Sequence, residues 1–134
     1  MYRVWLAKSK HTEDTKFKVA LQFPEGLLIY STLISDLLKT YCEVDTVIMG
    51  DVTYGAWCID DLGARALGAH IMIHYAHSCL VPIQEMAIKD VLYVFVITGI
   101  NLQHFVNTVL HNLQDQKESH IYLLGTIQFT NSLF

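Results

Sequence analysis

Strand-like and helix-like segments alternate along this sequence, and that alternation predicts an α/β fold. The sheet is expected to be mostly parallel, of four to five strands, with helices on both faces. Three observations carry the prediction. The strand-like runs are apolar at nearly every position, as strands covered on both faces are. The segments between them repeat apolar residues at helical spacing. Turn-forming residues close the runs, and both prolines, Pro24 and Pro82, fall directly after apolar stretches.

Residues 1–16 are polar and mixed in charge and read as a leader ahead of the core. Residues 17–22 form the first strand, stopped by Phe23-Pro24-Glu25-Gly26. From 27 to 41, Leu27, Leu28, Ile34, Leu37, Leu38 and Tyr41 recur with the period of a helix that ends near Cys42. Residues 44–49 are the second strand, ended by Gly50-Asp51, and a helix over 57–67 follows with Gly68 as its stop. Strands over 71–75 and 91–97 flank the loop 76–82. A helix over 102–113 gathers Leu102, Phe105, Val106, Val109, Leu110 and Leu113 on one side, and 121–128 is the fifth strand. Right-handed crossovers then place the loops 23–26, 50–56, 76–82 and 98–101 along one edge, where open α/β sheets bind their ligands.

Composition narrows the function. Of 134 residues, 52% are hydrophobic and 16% charged, which excludes disorder as the general state and leaves room for one domain with a core. The longest apolar run, 91–100, is about half of a membrane span, and the first ten residues lack a secretory signal, so no membrane association is expected. A net charge of −4 argues against nucleic acid as a partner. Cys42, Cys58 and Cys79 are an odd set without paired spacing, which suits a reducing, cytoplasmic compartment.

The residues that bear chemistry cluster in the edge loops. Cys58 sits where a strand runs into a helix, and a helix N-terminus favours the thiolate, so it is a metal or cluster ligand candidate; the alternative is a buried cysteine in the first turn. His74, His77 and Cys79 lie within six residues, and with Cys58 they can be drawn as a metal set of unfamiliar spacing. The alternative has His74 buried and hydrogen-bonded and Cys79 packed under Pro82. Asp60 and Asp61 suit the helix macrodipole, with Asp61 and Arg65 spaced for an i,i+4 pair. Glu25 lies beside Gly26, where backbone approaches a ligand closely. No Walker loop, GxGxxG, Ser–His–Asp signature or EF-hand loop occurs.

One internal similarity stands out: residues 21–28 and 127–134 both run from a strand through Gln-Phe and three small or polar residues into large apolar ones. The chain thus divides into a leader at 1–16, a first α/β domain at 17–119 and the start of a second, related domain at 120–134. Taken in order, residues 19–28, 50–61, 64–69, 74–82 and 91–96 resemble the diphthamide synthesis protein 1/2 family, more closely subunit 1 because of Asp51-Val52-Thr53-Tyr54-Gly55-Ala56 and Ala64-Arg65-Ala66-Leu67. The resemblance implies three similar α/β domains around one 4Fe–4S cluster, each giving a cysteine. It implies cleavage of S-adenosylmethionine to a 3-amino-3-carboxypropyl radical and transfer of that group to a histidine of translation elongation factor 2. It further implies a heterodimer with diphthamide synthase subunit 2 and a small iron-binding electron-donor protein.

From their place at the strand-end edge, Glu25, Gly26, Tyr54, Gly55, His74 and His77 are expected to bind cofactor. The sequence departs from the family at the ligand position, where Trp57 stands in place of cysteine and only Cys58, its neighbour, could substitute. The other two family cysteines have no counterpart in these residues. The expectation is therefore the first domain of a diphthamide synthase subunit that builds no cluster alone; the alternative is a non-catalytic copy keeping a scaffold or a contact surface for the partner subunit.

Overall fold

The computed structural model describes residues 1–11, 16–50, 58–77, 79–114 and 120–133. It divides into two compact units, Met1–Val94 and Phe95–Phe134. In the first unit, helix α1 (Tyr2–Ser9) precedes strand β1 (Lys18–Gln22), a 3-10 segment (Glu25–Tyr30) and helix α2 (Ser31–Cys42). Strand β2 (Asp45–Met49), helix α3 (Asp61–Ala66), strand β3 (Ile71–Ala76), a 3-10 turn (Ile83–Glu85) and strand β4 (Val91–Phe95) follow. The four strands form one parallel sheet in the order β2-β1-β3-β4. In its register Gln22 of β1 lies opposite Met49 of β2 on one side and His74 of β3 on the other.

Alternation of side chains along the strands splits the core into two layers. Val19, Leu21, Ile71 and Ile73 point to one face and pack with Val4 of α1 and with Leu38 and Cys42 of α2. Ala20, Met49 and Met72 point to the other and pack with Ile59, Ala64 of α3, Met86 and Ile88. The helix and strand periods of the sequence are thus both satisfied, and Cys42 is packed where the sequence placed it. Gly68 stops the chain after α3 with φ +76, a conformation that glycine adopts without a Cβ penalty.

Several expectations are corrected. Residues 1–16 are no mere leader: α1 forms within them, Val4 is wholly buried, and Lys8 Nζ donates to the Cys42 carbonyl at 2.9 Å, tying α1 to the end of α2. With Val4 the one fully buried residue and Tyr2 and Trp5 exposed, the apolar residues of α1 leave too little periodicity to read. The helix expected over 27–41 begins with 3-10 turns because Pro24, extended, starts the bend and Leu27 N–H returns to the Pro24 carbonyl. Among the described residues α3 spans only Asp61–Ala66, entered at Asp60, whose Oδ1 accepts the Gly63 N–H at 2.9 Å.

The second unit holds helix α4 (Leu102–Asn112), a 3-10 turn (Ile127–Phe129) and helix α5 (Thr130–Leu133). Asn101 caps α4, its Oδ1 accepting the His104 N–H at 3.0 Å. The fifth strand expected over 121–128 is absent among the described residues. A strand needs a ladder, and here one bond, from Thr98 N–H to the Gln128 carbonyl, is formed instead. No helix among the described residues is long and apolar enough to cross a membrane.

Docking of α1 through one side chain sets a direct contrast. Val4→Ala is expected to lower the unfolding free energy by about 2 kcal/mol, whereas Trp5→Ala, on the exposed side of the same helix, is expected to change it by less than about 0.5 kcal/mol. Urea titration followed by circular dichroism measures both; equal effects would mean α1 is not docked.

Candidate functional site

The carboxyl ends of the parallel strands form the edge at which ligands of such sheets bind. β1 ends there in Gln22, a buried amide on the layer of Ala20 and Met72. Its Nε2 donates to the Cys58 carbonyl at 2.8 Å, and its Oε1 accepts the Asp60 N–H at 3.1 Å. Both ends of one side chain therefore hold the segment entering α3, and they place Cys58, exposed, over the end of β1. Gln22 was not among the residues singled out from sequence, although a polar residue ending an apolar strand is a readable signal.

The residue beside Gln22 across the sheet is His74. It is 2% exposed, and neither ring nitrogen has a hydrogen-bond partner among the described residues. Its ring meets Tyr93 of β4 edge to face, with centroids 5.7 Å apart. Gln22, His74 and Tyr93 thus make a polar row across the end of an otherwise apolar layer. His74 is buried as expected, but among the described residues it has no hydrogen-bond partner, and its ring packs against that of Tyr93 instead. Burial, with a smaller contribution from His77, holds its pKa below the ordinary 6.5. Burial also raises the Tyr93 pKa, with a smaller upward contribution from Cys79 and a smaller downward one from a hydrogen bond with the Cys79 backbone. Tyr75, which points to the other face, is raised by burial and stacks on Phe23 at 4.2 Å.

β3 leaves the sheet through Ala76, whose φ of 78 lies in the left-handed region and costs an alanine about 1–2 kcal/mol. His77 follows, half-buried, and Cys79 lies partly buried against the second layer, its Sγ accepting the Val81 N–H at 3.4 Å. Glu25 is exposed at the start of the 3-10 segment. A Cβ on Gly26 would meet nothing within 4 Å, so packing does not demand glycine there. Tyr54, Gly55 and Trp57 lie outside the described residues. Asp61 accepts the Ala87 N–H, and among the described residues no ion pair joins it to Arg65, so the i,i+4 expectation is replaced by a loop anchor. Nor do Cys58, His74, His77 and Cys79 assemble a metal set: no three His, Cys, Asp or Glu side chains among the described residues come together to hold an ion.

Two measurements follow from this geometry. Gln22→Leu strips partners from the Asp60 N–H and the Cys58 carbonyl and is expected to cost about 2 kcal/mol of stability in urea titration; a neutral result would mean the clamp is not formed. Because His74 binds a proton more readily in the unfolded chain, its contribution to stability is complete above pH 6.5 and is lost as the pH falls below that value. Denaturation midpoints at a series of pH values check this, and the part of the decline due to His74 should disappear in His74→Leu.

Comparison with known proteins places this geometry in a family. The family model described as diphthamide synthesis protein matches residues 23–134. The chain is 58% identical over 116 residues to the 2-(3-amino-3-carboxypropyl)histidine synthase subunit 1 of Debaryomyces hansenii, covering 87% of the chain and 27% of that protein. It is 47% identical over 130 residues to the protein of the same name from Caenorhabditis elegans, covering 97% of the chain and 31% of that protein. It therefore spans about a quarter to a third of the length of these relatives. Its fold is similar to the crystal structure of Dph2 from Pyrococcus horikoshii with a 4Fe-4S cluster, at a TM-score of 0.61 and 18% identity over 84% of the chain and 32% of that one. The chain belongs to the diphthamide synthesis protein family.

Proposed function

We propose that this chain supplies the first α/β domain of a diphthamide synthase subunit 1. The whole enzyme would transfer a 3-amino-3-carboxypropyl group from S-adenosylmethionine to a histidine of translation elongation factor 2, with an iron–sulfur cluster as cofactor and subunit 2 and an iron-binding electron donor as partners. The observation that carries this reading is the identity of up to 58%, across most of the chain, with proteins bearing that name. The Pyrococcus horikoshii structure supports the cluster by its own content.

The donors present do not fit a whole cluster. An iron–sulfur cluster needs several thiolates, and the three here are dispersed. Cys42 is buried under α2, Cys79 is engaged with the loop after β3, and Cys58 alone is exposed at the sheet edge. This stretch of chain is accordingly a scaffold that presents one thiol through the Gln22 clamp, and it carries out no group transfer by itself.

Two arms test the proposal. Anaerobic reconstitution of the chain with iron and sulfide, followed by absorbance and EPR, is expected to give no stoichiometric cluster; a full cluster would contradict the scaffold role. A chimera that carries this chain in place of the matching segment of the Debaryomyces hansenii subunit is expected to modify the elongation factor once a cysteine replaces Trp57, read by the mass of the histidine peptide. No modification by a chimera that folds and binds its partner would remove the functional reading.

A further inference from the structure

The second unit, Phe95–Phe134, contains no buried residue among those described. Its helix α4 nevertheless carries an apolar stripe as continuous as that of α2, whose Leu38 and Cys42 are buried in the core. Leu102, Val106 and Leu110 of α4, with Ile121 and Leu123, are between 46% and 64% exposed. Phe105, Val106, Val109 and Leu110 form an open groove of about 280 Å³ with Ile121 and Leu123, and every residue that lines it is apolar. A unit of about 40 residues with nothing buried cannot offset the entropy of ordering its chain, and an 11-residue helix is marginal in water by itself. The fold of this unit therefore calls for something that covers the groove.

We infer that the groove is an interface at which α4 pairs with the α4 of a second copy of this chain, antiparallel about a two-fold axis. The stripe is its own complement. Leu102, Phe105, Val106, Val109, Leu110 and Leu113 keep the same spacing read in either direction, so a reversed helix sets Leu102 opposite Leu113, Phe105 opposite Leu110 and Val106 opposite Val109. Charge selects a second copy as well. No Asp, Glu, Lys or Arg occurs from Val91 to Leu113, and the helical period turns His104 and His111 to the opposite side of α4. A partner chosen by charge finds nothing to pair with there, whereas a second copy meets no like charge. The area is sufficient too. Taken at about 200 Å² for a fully exposed large apolar side chain, the five exposed residues leave about 500 Å² on each copy. With the helix rim added, a pair reaches the roughly 1,200 Å² at which specific interfaces begin.

The test is sedimentation velocity with light scattering on the full chain over a range of concentrations. The parent should pass from monomer to dimer at micromolar concentration, and added salt should not weaken the dimer, since no ion pair holds it. Val106→Lys and Val109→Glu should each weaken association about a hundredfold or more, because each buries an unpaired charge. His104→Glu, on the outer side of α4, should leave it unchanged. Mixed together, the Val106→Lys and Val109→Glu chains should recover most of the association, because the antiparallel register sets the two charges face to face, and that recovery also shows both variants folded. The inference is overturned if the parent stays monomeric or forms only open-ended aggregates, if the two stripe variants dimerise as the parent does, or if mixing them restores nothing. Should the parent be monomeric while Val106→Lys unfolds the chimera described above, the groove is covered by the rest of the subunit; the second copy then falls and the functional reading stands.

Discussion

The first unit depends on one constraint, the complete enclosure of β1. It is paired on both edges, to β2 and β3, and Val19, Ala20 and Leu21 expose no surface. A strand in that position satisfies its backbone laterally and leaves only its side chains to hold the layers above and below. Large residues on one face call for the helices α1 and α2. Ala20 on the other leaves room for the longer side chains of Met49, Met72 and Met86, flexible enough to fill an irregular layer. Each helix is positioned by what this strand presents to it.

Enclosure also decides where polarity can go. The layer that carries Ala20 and Met72 ends, at its last register position, in Gln22 and His74, with the Tyr93 ring beside His74. Gln22 uses both ends of its amide to catch the segment between β2 and α3. His74, beside it, has no hydrogen-bond partner among the described residues. The exposed Cys58 owes its place to the former.

The parallel sheet was legible because strands covered on both faces must be apolar throughout; β1, β2 and β4 fall within runs read that way, and β3 runs one residue further, to Ala76. Gly68 and Cys42 were legible for local reasons, a positive φ and the end of an apolar stripe. The helix α1 was hidden because it enters the core through Val4 and, less deeply, Ala7, and holds on through Lys8. Residues 121–126 carry strand-forming side chains, yet β propensity is a preference for a pleated neighbour, and none is provided among the described residues. At the site, residue types could be read and pairings could not. Asp61 chose a backbone N–H over Arg65, and the lack of a partner for His74 is a property of three-dimensional surroundings.

The Gln22 clamp bears on how the chain finds this arrangement in the first place. Side chains on a strand alternate, so sliding β1 by a single residue against β2 and β3 would carry the amide to the opposite face, into the apolar layer that α1 and α2 cover. There it would find no carbonyl or N–H, and the segment at Cys58 would lose both of its anchors. A misaligned sheet of apolar strands would otherwise differ little in buried surface from the correct one, since valine, leucine and isoleucine are interchangeable to a first approximation. One polar side chain at the strand end thus proofreads the pairing of three strands, and the edge where the candidate site lies is the same place that tells the folding chain its alignment is right.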